Sequence, residues 1–342
     1  MEAAHKLHLF IYLGLLSLIS IINGQCPWSR ELNDLHTDCI CSYNNVQRLT
    51  IQCSPVNFTR LVDALHTSVQ SIPIELLYIN NSSIEILPES VFDGMDIQSV
   101  QITKSKIKHI PDTAFIGLQS KLVRLNLQDN QIQALPVGAI NSLTSLKVLD
   151  LSNNNITSLP ENSFTHTQLS TLKLADNNLA YISDSSFKGV EPYLKNLNLK
   201  GTSLHKIPEA IKNLTALAFL DLAQNKIEQI EPYQFENLRT LTALSLERNQ
   251  IKSVNEKAFL GVNDSLSSLS LLNNLLTSFP SQAISSLTEL RVSALPFLFS
   301  FFFYFFFFFF FYSSSSFALL LLLLLLQFVF FSQLQNQNQL KK

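Results

Sequence analysis

The stretch "LKVLDLSNNNI", residues 146–156, decides how the rest of the chain is read. Leu149 and Leu151 alternate with Asp150 and Ser152, the period-2 pattern of a short strand in which leucines point inward and polar residues point out. Asn154 closes the word. An asparagine amide carries donors and acceptors, so one side chain there can satisfy backbone groups of its own turn and of a neighbouring one. A single unit of this kind cannot cover its own leucines.

The same frame opens at Ile74, Ile97, Leu122, Leu146, Leu169, Leu194, Leu217, Leu241, Leu266 and Leu290, with gaps of 23 to 25 residues. That period in one register is the signature of leucine-rich repeats, whose turns stack so that their leucines form one continuous interior. The expected fold is an α/β solenoid, a leucine-rich-repeat horseshoe with a parallel concave β-sheet. The ladder position is filled by Ser82, Ser105, Asn130, Asn154, Asn177, Thr202, Asn225, Asn249 and Asn274, and the three hydroxyl residues can do only part of an amide's work. Behind the strands runs a second row, Phe92, Phe115, Ile140, Phe164, Phe187, Ile211, Phe235, Phe259 and Ile284. It reads as core packing and not as a ligand box.

Upstream of the repeats, Lys6 precedes an apolar run from Leu9 to Ile22, which reads as a signal peptide over residues 1–24 with cleavage after Gly24. All four cysteines, Cys26, Cys39, Cys41 and Cys53, follow within a short distance. Two disulfides formed in an oxidising compartment are expected, a zinc site being the alternative, and the sequence permits three pairings. Val46, Leu49 and Ile51 imitate the strand word, with Cys53 where the ladder asparagine would stand. Residues 25–73 are therefore expected to form a disulfide-pinned cap that covers the first leucines of the repeats at 74–292.

The cysteine cluster resembles the N-terminal cap of extracellular leucine-rich-repeat proteins, although its C-x₁₂-C-x-C spacing is longer than the usual C-x₃-C-x-C. With that cap, the wording "LKNLNLKGT" at 194–202 is similar to insect surface proteins of the chaoptin, connectin and hattifattener kind. The resemblance implies pairing of Cys26 with Cys41 and of Cys39 with Cys53. It also implies cell adhesion or partner recognition at a cell surface, with a membrane or lipid anchor. Sequons at Asn57, Asn80, Asn81, Asn155, Asn213 and Asn263 suit an exported glycoprotein.

The frame breaks in its tenth turn, where Ser293 replaces a leucine, and residues 293–342 become runs of Phe, Ser and Leu. Two readings stay open. Residues 294–331 are apolar enough for a transmembrane anchor with Lys341 and Lys342 on the cytoplasmic side. Alternatively the tail is translated intron, because a thymine-thymine-cytosine repeat reads as Phe, Ser or Leu in its three frames.

Function should reside on the outward strand positions. Asp150, Lys173, Asn198, Lys200, Phe219 and Asp221 form the candidate partner-binding patch, with Phe219 as the exposed aromatic anchor. The expected partner is an extracellular protein or a cell-surface receptor. A net charge of −2 provides no basic field for nucleic acid. His36, His66, His109, His166 and His205 are scattered without a converging nucleophile or carboxylate, so neither an enzyme, a cofactor nor a metal site is expected. The second class the sequence allows is a ligand-binding ectodomain, decoy or co-receptor of an innate-immune or developmental receptor, lacking its own signalling domain.

Overall fold

The computed structural model describes residues 26–29, 32 and 35–294; the signal peptide expected at 1–24 and the tail from 295 onward lie outside the described residues. In chain order the strands are β1 (Cys39–Tyr43), β2 (Leu49–Cys53), β3 (Ile74–Asn80), β4 (Ile97–Thr103), β5 (Arg124–Asn126), β6 (Val148–Asp150), β7 (Ser158–Leu159) and β8 (Thr171–Lys173). They continue as β9 (Tyr181–Ile182), β10 (Asn196–Asn198), β11 (Phe219–Asp221), β12 (Gln229–Ile230), β13 (Ala243–Ser245), β14 (Ser253–Val254), β15 (Ser268–Ser270) and β16 (Val292–Ala294). Among the described residues the main sheet has 12 strands in the order β1-β2-β3-β4-β5-β6-β8-β10-β11-β13-β15-β16. The hairpin β1-β2 is antiparallel and the pairs from β2 onward are parallel. A leucine-rich-repeat solenoid with a capped first strand is thus what the periodicity builds.

Each main-sheet strand from β5 to β15 buries its central leucine in register with its neighbours, as Leu149 pairs with Leu125 and Leu172. Leu149, Leu151, Leu172 and Leu174 are fully buried, each contributing roughly 1.5–3 kcal/mol over exposure. Backbone pairing continues to the last described strand, where Ser293 stands opposite Leu269.

The asparagine ladder ties one turn to the next. Asn154 Nδ2 donates to the carbonyls of Leu151 in its own turn and Leu127 in the previous one, both at 3.0 Å, while its Oδ1 accepts from the Ile132 N–H. Where asparagines stand in successive turns, the strand-end carbonyl between them accepts two such amide bonds: Leu151 takes Asn154 and Asn177, and Leu222 takes Asn225 and Asn249. Thr202 Oγ1 meets the Leu199 carbonyl of its own turn and Asn225 Oδ1 of the next, and does not reach back to the previous turn, so Leu174 receives a single bond, from Asn177.

The residue before each ladder position has positive φ, including Asp129, Asn153, Asp176, Gly201, Gln224 and Arg248. This left-handed step turns the chain out of the sheet, and the freed N–H donates to the next turn, as from Asp176 to Lys200 O at 2.8 Å. Gly189, at φ +95°, serves another corner, where a Cβ would lie 2.6 Å from the Thr165 carbonyl oxygen.

The rear row has a period of three turns. Phe92 stacks on Phe115, Phe164 on Phe187 and Phe235 on Phe259, with ring centroids 5.9 to 6.1 Å apart. Ile140, Ile211 and Ile284 interrupt the stacks. At those turns the chain forms short helices, Val137–Ser142, the 3₁₀ segment Glu209–Asn213 and Ser281–Ile284. Small parallel pairings, β7 with β9 and β12 with β14, join the two turns of a phenylalanine pair.

In the cap, disulfides link Cys26 to Cys41 and Cys39 to Cys53. Arg48 locks the cap to the repeats through Asp96 Oδ1 at 3.3 Å and the Ile74 carbonyl at 3.2 Å. Val46, expected to act as a strand-word residue, sits in the β1-β2 turn at 73% exposure, and the strand starts only at Leu49.

Candidate partner-binding face

On the face of the sheet opposite the leucines, the register aligns one residue per turn. One row runs Ile40, Gln52, Tyr78, Gln101, Asn126, Asp150, Lys173, Asn198, Asp221, Ser245 and Ser270. Beside it runs Arg124, Val148, Thr171, Asn196, Phe219, Ala243 and Ser268.

The Asn and Asp side chains of the first row are used by the backbone. Oδ1 of Asn126, Asp150, Asn198 and Asp221 accepts the N–H two residues later, at 2.9 to 3.0 Å. Short Asx side chains do this readily at a strand end, where the ladder stops and a donor is left over. Asp150 and Ser152, read as facing solvent, are only 7% and 9% exposed. They point away from the leucines, yet Lys173 closes over Asp150, its Nζ 3.2 Å from Oδ2. Asp150 therefore presents little surface to a partner.

The rest of the patch splits. Lys173, Asn198, Phe219 and Asp221 line one shallow depression of about 450 Å³, together with Thr171, Asn196, Ala243, Ser245, Ser268 and Ser270. Phe219 stands 53% exposed at its wall. Lys200 lies in the turn beyond β10, on the same edge as Asp221. Burial raises the Asp221 carboxyl above the ordinary aspartate range; the Ala223 N–H and the Lys200 charge oppose that rise, and the Glu247 and Asp176 charges add to it.

Sequence reasoning did not identify the small residues that make the depression. Its floor exists because Ala243, Ser245, Ser268 and Ser270 replace larger side chains at successive outward positions. The signal was two pairs of small residues, Ala243 with Ser245 and Ser268 with Ser270, one repeat apart. A second hollow, about 710 Å³, lies at the turn edge between Gln133, Asn155, Thr157, Asp176, Asn178 and Gly201. Among the described residues no His, Cys, Asp and Glu group is placed to hold a metal ion. No described helix is long and apolar enough to cross a membrane.

A leucine rich repeat family model matches residues 120–179, 167–227, 192–251, 220–276 and 239–292. Chaoptin of Drosophila melanogaster is 29% identical over 194 residues, 50% of this chain and 15% of that protein. The human leucine-rich repeats and immunoglobulin-like domains protein 1 is 31% identical over 228 residues, 66% of this chain and 17% of the relative. The chain thus spans less than a fifth of either. Among solved structures, a chain of the octameric complex of Latrophilin 3 (Lec, Olf), Unc5D (Ig, Ig2, TSP1) and FLRT2 (LRR) superposes with a TM-score of 0.59 and 25% identity. That match covers 68% of this chain and 69% of the other.

Proposed function

Because this chain belongs to the leucine-rich-repeat family, we propose that it binds an extracellular protein or cell-surface receptor through its concave sheet, in adhesion or recognition, and performs no catalysis. The observation that carries this reading is the depression beside Phe219, where an exposed aromatic adjoins small residues on a rigid sheet. Exposed aromatics next to space a partner can fill are favoured binding anchors. The likeness to a complex in which FLRT2 (LRR) assembles with other proteins supports a protein partner.

The two cap disulfides suit an oxidising compartment. In this reading residues 1–24 direct secretion, 25–73 cap the repeats of 74–292, and 294–331 supply the anchor if the tail is translated from the mature message. Lys173, Asn198, Lys200, Phe219 and Asp221 contact the partner, and Asp150 holds Lys173 in place.

The test is to apply the labelled, purified chain to cells before and after mild surface proteolysis. Saturable binding that proteolysis removes supports a protein partner. Binding that proteolysis leaves intact, or no saturable binding on any cell type, overturns it. If the chain captures a secreted protein and no surface, the decoy or co-receptor reading takes its place.

A further inference from the structure

The six sequon asparagines are not equivalent in the folded chain. Asn57, Asn81, Asn155 and Asn213 are exposed, whereas Asn80 and Asn263 are half-buried. Asn57 caps the helix Phe58–Ala64 with Oδ1, which accepts the Arg60 N–H at 3.2 Å. That bond leaves Nδ2, the atom glycosylation uses, outside the cap. Asn155 bonds Ile132 O through its backbone N–H, and its side chain lines the mouth of the turn-edge hollow. Asn213 ends the 3₁₀ segment on the rear side.

In the other two Oδ1 is likewise the acceptor, and what sets them apart is burial against the adjoining turn. Asn80 closes β3, and its Oδ1 accepts from Thr103 Oγ1 at 3.1 Å on the adjoining strand. Asn263 uses Oδ1 for the Gly261 N–H at 2.9 Å, while its carbonyl accepts from the N–H and hydroxyl of Thr288 in the next turn. A sugar on either would have to fit between packed turns.

We propose that Asn57, Asn81, Asn155 and Asn213 carry N-linked glycans in the folded protein and that Asn80 and Asn263 do not. In the transfer, Nδ2 forms a bond to the anomeric carbon of a lipid-diphosphate-linked oligosaccharide. The bond from that carbon to the diphosphate oxygen breaks, the lipid diphosphate leaves, and Nδ2 loses a proton. The inference rests on the secretory reading above. Its consequence is that the glycan of Asn155 fills the mouth of the turn-edge hollow, while the concave depression, whose lining contains no exposed sequon, stays open to a protein.

The test expresses the full chain in a eukaryotic secretory host and treats the folded product with peptide N-glycosidase in heavy-oxygen water, which marks each formerly glycosylated asparagine as labelled aspartate. Label at the four exposed sites alone is the expected result, with one mobility step lost in each of Asn57→Gln, Asn81→Gln, Asn155→Gln and Asn213→Gln. Label at Asn80 or Asn263, or its absence from any of the four exposed sites, overturns the assignment. Thiol alkylation before reduction separates the two ways of failing. Oxidised cysteines without glycans defeat this proposal alone, and reduced cysteines without glycans defeat the secretory reading with it.

Discussion

Lys173 Nζ lies 3.2 Å from Asp150 Oδ2 across two adjacent strands, covering a carboxylate that is itself only 9% exposed at the side chain. The pair belongs to the concave face yet serves the scaffold first. Lys173→Ala would leave that carboxylate with the Ser152 N–H and no counter-charge. A stability loss of about 1 kcal/mol is expected, since the half-exposed lysine is screened by water, and chemical denaturation measures it. The double variant Lys173→Ala with Asp150→Asn should recover most of the loss, because the neutral amide still accepts from Ser152.

The ladder makes a stronger demand. Asn154→Ala removes the donors to Leu127 and Leu151 and the acceptor for Ile132, all in buried surroundings, at a cost of about 3 kcal/mol. Thr202→Asn is the converse. Its amide would give the Leu174 carbonyl the second donor that regular turns provide, raising stability by about 1 kcal/mol. Thermal unfolding of the two variants in parallel should show shifts of opposite sign.

Asp221 sets a pH dependence. Burial raises its carboxyl pKa in the fold above that of the unfolded chain, against the pull of Ala223 N–H and Lys200. A group shifted this way favours folding when protonated, so its contribution is complete below the unfolded aspartate value, about 3.9, and is lost as pH rises through the folded value. At neutral pH Asp221→Asn should therefore be the more stable protein, its Oδ1 still accepting from Ala223. The advantage should shrink as pH falls toward the ordinary aspartate range. An advantage that grows with acid would contradict the assignment.

Gly189 offers a backbone check. At φ +95°, with the Thr165 carbonyl 2.6 Å from any Cβ, Gly189→Ala combines strain with a clash and should cost about 1–3 kcal/mol. Unfolding of the variant by urea gives the figure directly.

Much of the scaffold was legible because its rules are periodic. Leu149, Leu151 and Asn154 repeat with one spacing, and stacking follows from leucines that no single turn can bury. The alternation of two phenylalanines with one isoleucine was also in the sequence, but only packing shows that the isoleucine turns carry the short helices. Val46 was misread because a hairpin turn and a strand start look alike when one apolar residue is all there is to judge. The concave face was less legible still. Alternation told that Asp150 leaves the leucine core, but not that Lys173, one strand away and in the next repeat, would cover it. The depression beside Phe219 is made of missing volume at Ala243, Ser245, Ser268 and Ser270, and missing volume has no motif.

The central claim, that the concave sheet is the binding face, is tested most directly by comparing the binding of two substitutions to partner-bearing cells. Phe219→Arg alters the wall of the concave depression, and Tyr181→Arg alters an equally exposed aromatic on the small sheet β7-β9 behind it. Concave binding predicts at least tenfold weaker attachment for Phe219→Arg, with Tyr181→Arg and both melting temperatures near those of the parent. Undiminished binding by Phe219→Arg together with loss in Tyr181→Arg would contradict it and move the interface to the rear of the solenoid.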